Sequence, residues 1–175
     1  MRFFILMMFF MTSSFAQEIY SIKDKGIDGK EYSMSELKDK AVLIVNIASQ
    51  CGYTSQLEEL ETLHQKYKAK GLVVLGVPTN DFGGQTPEDD KAMAEFCSKK
   101  YHVTFPLLSK KTIKGKEKRD LYKLLTEKTA KEFKGEVSWN FVKFLINKKG
   151  EVIGRYDSSV KPTDKELTSK IESVL

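Results

Sequence analysis

The sequence predicts an α/β fold in which helices cover both faces of a central mixed β-sheet. Two continuous apolar runs, Ala41–Ile47 and Leu72–Pro78, have the composition of strands buried on both faces. An amphipathic helical segment separates them, and the order strand, helix, strand implies a right-handed parallel crossover. A third observation is a pair of strand-like runs, residues 141–146 and 151–156, which flank a turn and predict an antiparallel hairpin.

The first half of the chain gives two further elements. Residues 20–32 resemble a short antiparallel hairpin with an Asp-Gly pair at its turn, which predicts an N-terminal β-hairpin. A helix is predicted over residues 55–70, where Ser55 and Glu58 have the spacing of a capping box and Gly71 fits the stop. Leucines line one side of this helix: Leu57, Leu60 and Leu63.

The second half adds three helices. The segment 86–89 predicts a helix start with a cap residue, a proline at the first position and early acids, and the helix should end near Tyr101. A further helix is predicted around residues 120–126. The last begins at Thr163, with Glu166 as the reciprocal cap. Together these elements describe a thioredoxin-like fold.

Residues 1–16 predict a secretory signal peptide, because a short basic start precedes an apolar stretch and small residues around Ala16. The apolar stretch is shorter than the roughly 20 residues that span a bilayer. A buried N-terminal helix or an uncleaved anchor is the alternative. We expect export across the inner membrane to the periplasm, with no stable membrane association after removal. Residues 17–175 contain no repeat or linker and predict a single domain.

The formal net charge of +5 does not point to nucleic acid. Lysines alternate with acids along the chain, and no stripe of interleaved basic and aromatic residues occurs, so a solvated surface is expected. The chain has two histidines, His64 and His102, and neither has ligand-like partners nearby in sequence. We therefore expect packing or surface roles for both, no metal and no cofactor.

The two cysteines, Cys51 and Cys97, carry the chemistry that the sequence predicts. In an oxidising compartment one disulfide is the simplest expectation, either as a permanent staple or as one state of a catalytic cycle. Cys51 lies between a buried strand and a helix start, where free backbone N–H groups and the helix dipole favour a thiolate. Thr54 replaces the second cysteine of a C-x-x-C motif, which disfavours a dithiol oxidoreductase. A single-sulfur nucleophile is predicted, and an inert half-buried cysteine is the alternative.

Neutral N–H donors are predicted at the same edge of the sheet as Cys51. The glycine-rich loop 79–85 leaves the C-terminal end of the second buried strand, an edge where sites form in open α/β sheets. Trp139 and Asn140 immediately precede another strand and can reach that edge. With Gln85, their side chains can hold a sulfur anion and a polar substrate without adding charge. Taken alone, Trp139 fits core packing better than a catalytic role.

Three segments of the chain resemble the glutathione peroxidase family. They read NIASQCGYT at residues 46–54, LGVPTNDFGGQ at residues 75–85, and WNFVKFLI at residues 139–146. The likeness runs from about Ile19 to Tyr156. The resemblance implies a peroxidase that acts in the response to oxidative stress and reduces hydrogen peroxide and organic hydroperoxides.

The same resemblance assigns roles to the candidate residues. Cys51 matches the peroxidatic residue, which becomes a sulfenic acid, and three residues match the rest of a catalytic tetrad: Gln85, Trp139 and Asn140. Cys97 lies in a segment that looks like the helix bearing the resolving cysteine of thioredoxin-dependent members. A Cys51–Cys97 disulfide is then expected, and since it needs Cα atoms within about 7 Å, that helix should unwind locally. A buried free thiol is the alternative for Cys97.

The expected partners follow from the family. Cys97 favours a thioredoxin-like protein as the reductant, with glutathione as the second choice. The short connection 130–138 lacks the long insertion of tetrameric relatives, so we expect a monomer or a weak dimer. Two different functions stay open at this stage: a non-catalytic binding module stapled by a disulfide, and a thiol–disulfide relay that acts on proteins.

Overall fold

The computed structural model describes residues 14–175, so most of the predicted signal peptide lies outside the described residues. The first element is a helix rather than the start of the hairpin, and Tyr20 belongs to it. The helices and strands are as follows in chain order: α1 Ser14–Ser21, β1 Lys23–Lys25, β2 Glu31–Ser33, β3 Ala41–Ile47, α2 Gln56–Tyr67, β4 Leu72–Pro78, α3 Asp90–Tyr101, α4 Asp120–Lys123, β5 Lys143–Ile146, β6 Val152–Tyr156 and α5 Lys165–Glu172.

The central sheet is mixed, as the sequence predicts, with the strand order β4-β3-β5-β6. β3 and β4 are parallel and in register from Ala41 opposite Leu72 to Ile47 opposite Pro78. β5 pairs antiparallel with both β3 and β6. β1 and β2 form the separate N-terminal hairpin. Because β5 runs against β3, the start of β5 lies at the same edge as the ends of β3 and β4.

Helices cover both faces of this sheet, which confirms the predicted thioredoxin-like architecture. Alternate side chains of β3 point to opposite faces. Leu43 and Val45 pack in one apolar cluster with residues of α2, α3 and α5, whereas Val42 and Ile44 pack in a second cluster with residues of α1 and α4. Every residue of β3 is buried, which is why its sequence is almost continuously apolar.

The predicted helix caps are wrong in three places. Ser55 has helical dihedral angles and makes no capping hydrogen bond, because the turn before it is already wound. α3 begins at Asp90 rather than near Thr86, and its cap is Asp89, whose carboxylate accepts from the Ala92 N–H at 2.8 Å. α5 also has no side-chain cap, since the Thr163 hydroxyl bonds a glutamate of α2 instead. Between residues 14 and 175, no helix is long and apolar enough to cross a membrane.

Candidate active site

The turn that carries Cys51 is held by one side chain, that of Thr54. The Thr54 hydroxyl accepts from the Cys51 N–H at 3.0 Å and donates to the Ala48 carbonyl at 3.0 Å. The Thr54 N–H closes the turn on the Cys51 carbonyl at 3.0 Å. The Tyr53 N–H points at the Cys51 Sγ, 3.5 Å away. The turn therefore directs a backbone donor to the sulfur, as the position between strand and helix predicts.

Gln85 is tied to the residues just before Cys51. Its carbonyl accepts from the Gln50 N–H at 3.0 Å and lies 3.2 Å from the Ser49 hydroxyl oxygen. Gly83 and Gly84 precede it with φ values of 64° and 66°, a left-handed conformation that glycine adopts without steric cost. The glycine-rich loop thus turns back after β4 and places Gln85 beside the Cys51 turn.

Asn140 meets the Gln85 side chain directly. It is fully buried, and its Nδ2 donates to the Gln85 Oε1 at 3.0 Å. That bond uses the oxygen of the Gln85 amide and leaves the NH₂ group available as a donor. The Asn140 backbone carbonyl accepts from the Ser158 hydroxyl at 2.5 Å, which fixes the backbone from the other side.

Asn46 anchors the Trp139–Asn140 segment to the central strand. Its Nδ2 donates to the Trp139 carbonyl at 2.9 Å, and its backbone carbonyl accepts from the Phe141 N–H at 2.7 Å. Phe141 has a φ of 64°, a conformation that costs a non-glycine residue about 1 kcal/mol or more. The two bonds to Asn46 hold the chain in this strained bend just before β5.

Trp139 lies at the surface and not in the core. Its side chain is 39% exposed, and its ring contacts Phe82 at 5.8 Å between centroids. Phe82 belongs to the loop that also carries Gln85. The core-packing interpretation of Trp139 is therefore wrong, and its indole is accessible at the sheet edge.

The structure thus brings four of the five candidate residues to one edge of the sheet. Cys51, at 9% exposure, is linked to Gln85 through Gln50, and Gln85 is linked to Asn140. Trp139 adjoins Asn140 along the chain. The uncharged side chains of Gln85, Asn140 and Trp139 therefore lie at the edge of the sheet that carries the cysteine turn, and donors of this kind can receive a sulfur anion and a small polar molecule.

Cys97 takes no part in these hydrogen bonds and lies on the inner side of α3. It is 1% exposed and packs in the same apolar cluster as Cys51, and both cysteines are free thiols. Burial, together with the negative charge of Glu88, raises the pKa of the Cys97 thiol to about 12. In this state Cys97 is a protonated and shielded thiol.

Several residues that build the site were missed by the sequence reasoning. In the sequence, Thr54 stands out only as the residue that replaces a cysteine. Asn46 had a readable signal, since it is the one polar residue in the apolar run of β3. Ser158 and Ser49 had none, because their roles depend on contacts between segments far apart in the chain.

The histidines lie outside the site. His64 packs edge-on against Phe105 at 6.0 Å, and burial lowers its pKa, which confirms a packing role. His102 is exposed and ends α3 with a φ of 54°. Within the described part of the chain, no group of three or more histidine, cysteine or acidic side chains is placed to hold a metal.

Comparison with known sequences points to one family. Residues 19–126 match the family model for glutathione peroxidase. A glutathione peroxidase-like peroxiredoxin from Schizosaccharomyces pombe is 45% identical over 156 residues, which are 89% of this chain and 98% of the relative. The glutathione peroxidase homolog BsaA from Bacillus subtilis is 41% identical over 159 residues, 90% of this chain and 98% of the relative.

Solved structures agree with this result. The crystal structure of Trgpx in its apo form superposes with a TM-score of 0.71 at 34% identity and covers 89% of this chain and 94% of its own. A thiol:disulfide interchange protein from Chlorobium tepidum, at 17% identity, has a TM-score of 0.67 over 88% of this chain and 92% of its own, and shares the thioredoxin-type fold alone. By the family match and the identities over nearly its whole length, this chain belongs to the glutathione peroxidase family.

Proposed function

We propose that this chain reduces hydrogen peroxide and organic hydroperoxides, with Cys51 as the attacking sulfur. Membership of the glutathione peroxidase family, and relatives named as peroxiredoxins, support a peroxide-reducing thiol peroxidase. One observation carries the assignment of the site. The Cys51 turn, Gln85 and Asn140 are joined by consecutive hydrogen bonds at one edge of the sheet, with the exposed indole of Trp139 beside them.

The first step is a displacement at oxygen. The Cys51 thiolate attacks the nearer peroxide oxygen, the O–O bond breaks, and the departing oxygen takes a proton and leaves as water or an alcohol. Cys51 becomes a sulfenic acid. The Tyr53 N–H, the Gln85 amide and the Trp139 indole are the donors that hold the thiolate and the peroxide in line.

The second step is disulfide formation with Cys97. The Cys97 sulfur attacks the Cys51 sulfenic acid, the S–O bond breaks, and water leaves. Because Cys97 lies buried on the inner side of α3, this helix has to open locally before the two sulfurs can meet. A dithiol protein then reduces the disulfide by thiol–disulfide exchange.

A thioredoxin-like protein is the favoured reductant. Recognition of glutathione calls for cations that pair with its two carboxylates. The arginines within residues 14–175 are engaged elsewhere: Arg119 is buried beside Asp24, and Arg155 donates to four backbone carbonyls between residues 133 and 136. The free Cys97 supplies the second sulfur that reduction by a dithiol protein uses.

We also propose that the protein acts in the periplasm and is a monomer. The basic start and apolar stretch within residues 1–16 support export and a periplasmic location. The short connection 130–138 supports a monomer. Cell fractionation with a C-terminal tag tests the first, and light scattering at several concentrations tests the second.

Two cysteine variants test the reaction. Reduced wild-type protein should consume one equivalent of peroxide and form a disulfide, and a thioredoxin system should recycle it faster than glutathione does. Cys51→Ser should consume none. Cys97→Ser should consume one equivalent and then stop, because the sulfenic acid has no partner. Equal loss of activity in both variants would instead support a protein disulfide relay. A disulfide that resists mild reduction, in a protein that does not react with peroxide, would support a structural staple.

A further inference from the structure

Glu88 bridges the Cys51 turn and the segment that leads into α3. Its Oε2 accepts from the Ser49 hydroxyl at 2.5 Å, and its Oε1 faces the Gln50 Nε2 at 3.4 Å. Ser49 and Gln50 are the two residues before Cys51. Asp89, the residue after Glu88, is the cap of the helix that carries Cys97. One carboxylate therefore connects the surroundings of both sulfurs.

This carboxylate is fixed in place and ionised. Burial opposes its ionisation, but hydrogen bonds from Ser49 and Gln50 and the charge of Lys110 outweigh it and keep the pKa of Glu88 below its ordinary value. The Lys110 ammonium donates to the backbone carbonyl of Glu88 and to that of Thr86. The segment before α3 is thus held from both sides.

We propose that Glu88 is a positioning residue that restrains disulfide formation between Cys51 and Cys97, by fastening the turn before Cys51 to the segment that leads into α3. This inference rests on the proposed function, since it concerns the second step of that reaction. The two parts that Glu88 joins are the parts that must move relative to each other when α3 opens. While the bridge is intact, α3 stays closed and Cys97 stays buried.

The negative charge of Glu88 also opposes disulfide formation, as the bridge does. The attacking form of Cys97 is the thiolate, and the negative charge of Glu88 disfavours its formation. Charged groups on the neighbouring elements have other partners. Glu61 on α2 binds Thr104, and Glu95 on the exposed side of α3 pairs with Lys99 at 2.8 Å. His64 on α2 packs against Phe105.

Glu88→Gln separates these effects from folding, because its amide oxygen can still accept from Ser49. The reduced full-length protein is mixed with hydrogen peroxide in a stopped-flow instrument, and the fluorescence of Trp139, the one tryptophan, is followed. The phase that is missing in Cys97→Ser reports disulfide formation. In Glu88→Gln this phase should be roughly threefold faster or more, the scale of one partly exposed charge contact, and its pH profile should move to lower pH.

Two further variants control the experiment. Glu95→Gln removes the same charge from α3 without touching the Cys51 turn and should leave the disulfide phase at its wild-type rate. Glu88→Asp keeps the charge and should restore the wild-type pH profile. An unchanged or slower disulfide phase in Glu88→Gln, or an equal acceleration in Glu95→Gln, would overturn the inference. If wild-type protein shows no peroxide phase at all, the proposed function itself is wrong.

Discussion

Replacing Thr54 by valine should disable the Cys51 turn while leaving the shape of the core intact. Valine has nearly the same volume as threonine but no hydroxyl, so the Cys51 N–H and the Ala48 carbonyl both lose their partner. Thr54 is 6% exposed, so water cannot readily replace either bond. Each of the two buried groups left unsatisfied costs about 1–3 kcal/mol, so the free energy of unfolding should fall by roughly 2–6 kcal/mol.

The rate of reaction with peroxide should fall as well, because the sulfur is aimed by this turn. A small displacement of a reacting group can cost up to about 100-fold in rate, and we expect a loss of roughly tenfold or more in the second-order rate constant. Urea denaturation measures the first effect, and stopped-flow fluorescence with hydrogen peroxide measures the second. Thr54→Ser is the matched control, since it keeps the hydroxyl and loses only a methyl group.

The result that would refute this reasoning is a Thr54→Val protein with the stability and peroxide reactivity of the wild type. A Thr54→Ser protein as impaired as Thr54→Val would also refute it, because packing of the methyl group and not the hydroxyl would then hold the turn.

Two other predictions concern Asn140 and Lys143. Asn140→Leu removes the donor that holds the Gln85 Oε1, so the peroxide rate constant should fall about tenfold in stopped-flow assays. Its unfolding free energy should change by less than about 2 kcal/mol, because the unpartnered Asn140 Oδ1 is removed too; wild-type reactivity would argue against a role for Asn140. Lys143 is fully buried, and burial lowers its pKa to about 8. Since an unfolded lysine titrates near 10.4, the unfolded chain binds more protons between pH 8 and about 10.4, and stability contributed by this group rises with pH across that window by up to about 3 kcal/mol. Urea denaturation at pH 7.5 and pH 10 should show this rise in the wild type relative to Lys143→Met, and parallel pH profiles would contradict it.

The strands and the inward faces of the helices could be predicted because burial leaves a periodic pattern in the sequence. Leu57 and Leu60 on α2 are examples, as both are fully buried. The caps could not be predicted in the same way. Ser55 has the right spacing for a capping box, but the Cys51 turn winds directly into α2 and leaves Ser55 no extended backbone from which to cap.

The candidate site likewise has a part that could be predicted from the sequence and a part that could not. Cys51, Gln85, Trp139 and Asn140 could be proposed because each follows or precedes a strand end at one edge of the sheet. The contacts that fix them could not. Ser158 reaches the Asn140 carbonyl from 18 residues away, and no local pattern encodes that distance. Glu88 read only as an early acid of a helix, although its carboxylate points back to Ser49.

The depth of Cys97 in the resting protein has a consequence for its chemical survival. A sulfur that is 1% exposed, with a pKa raised to about 12 by burial and by Glu88, is shielded from alkylating agents and from stray oxidants alike. Electrophilic inhibitors should therefore not react with Cys97 until Cys51 has been oxidised. On the proposed mechanism, Cys97 therefore stays reduced under conditions that would oxidise an exposed thiol.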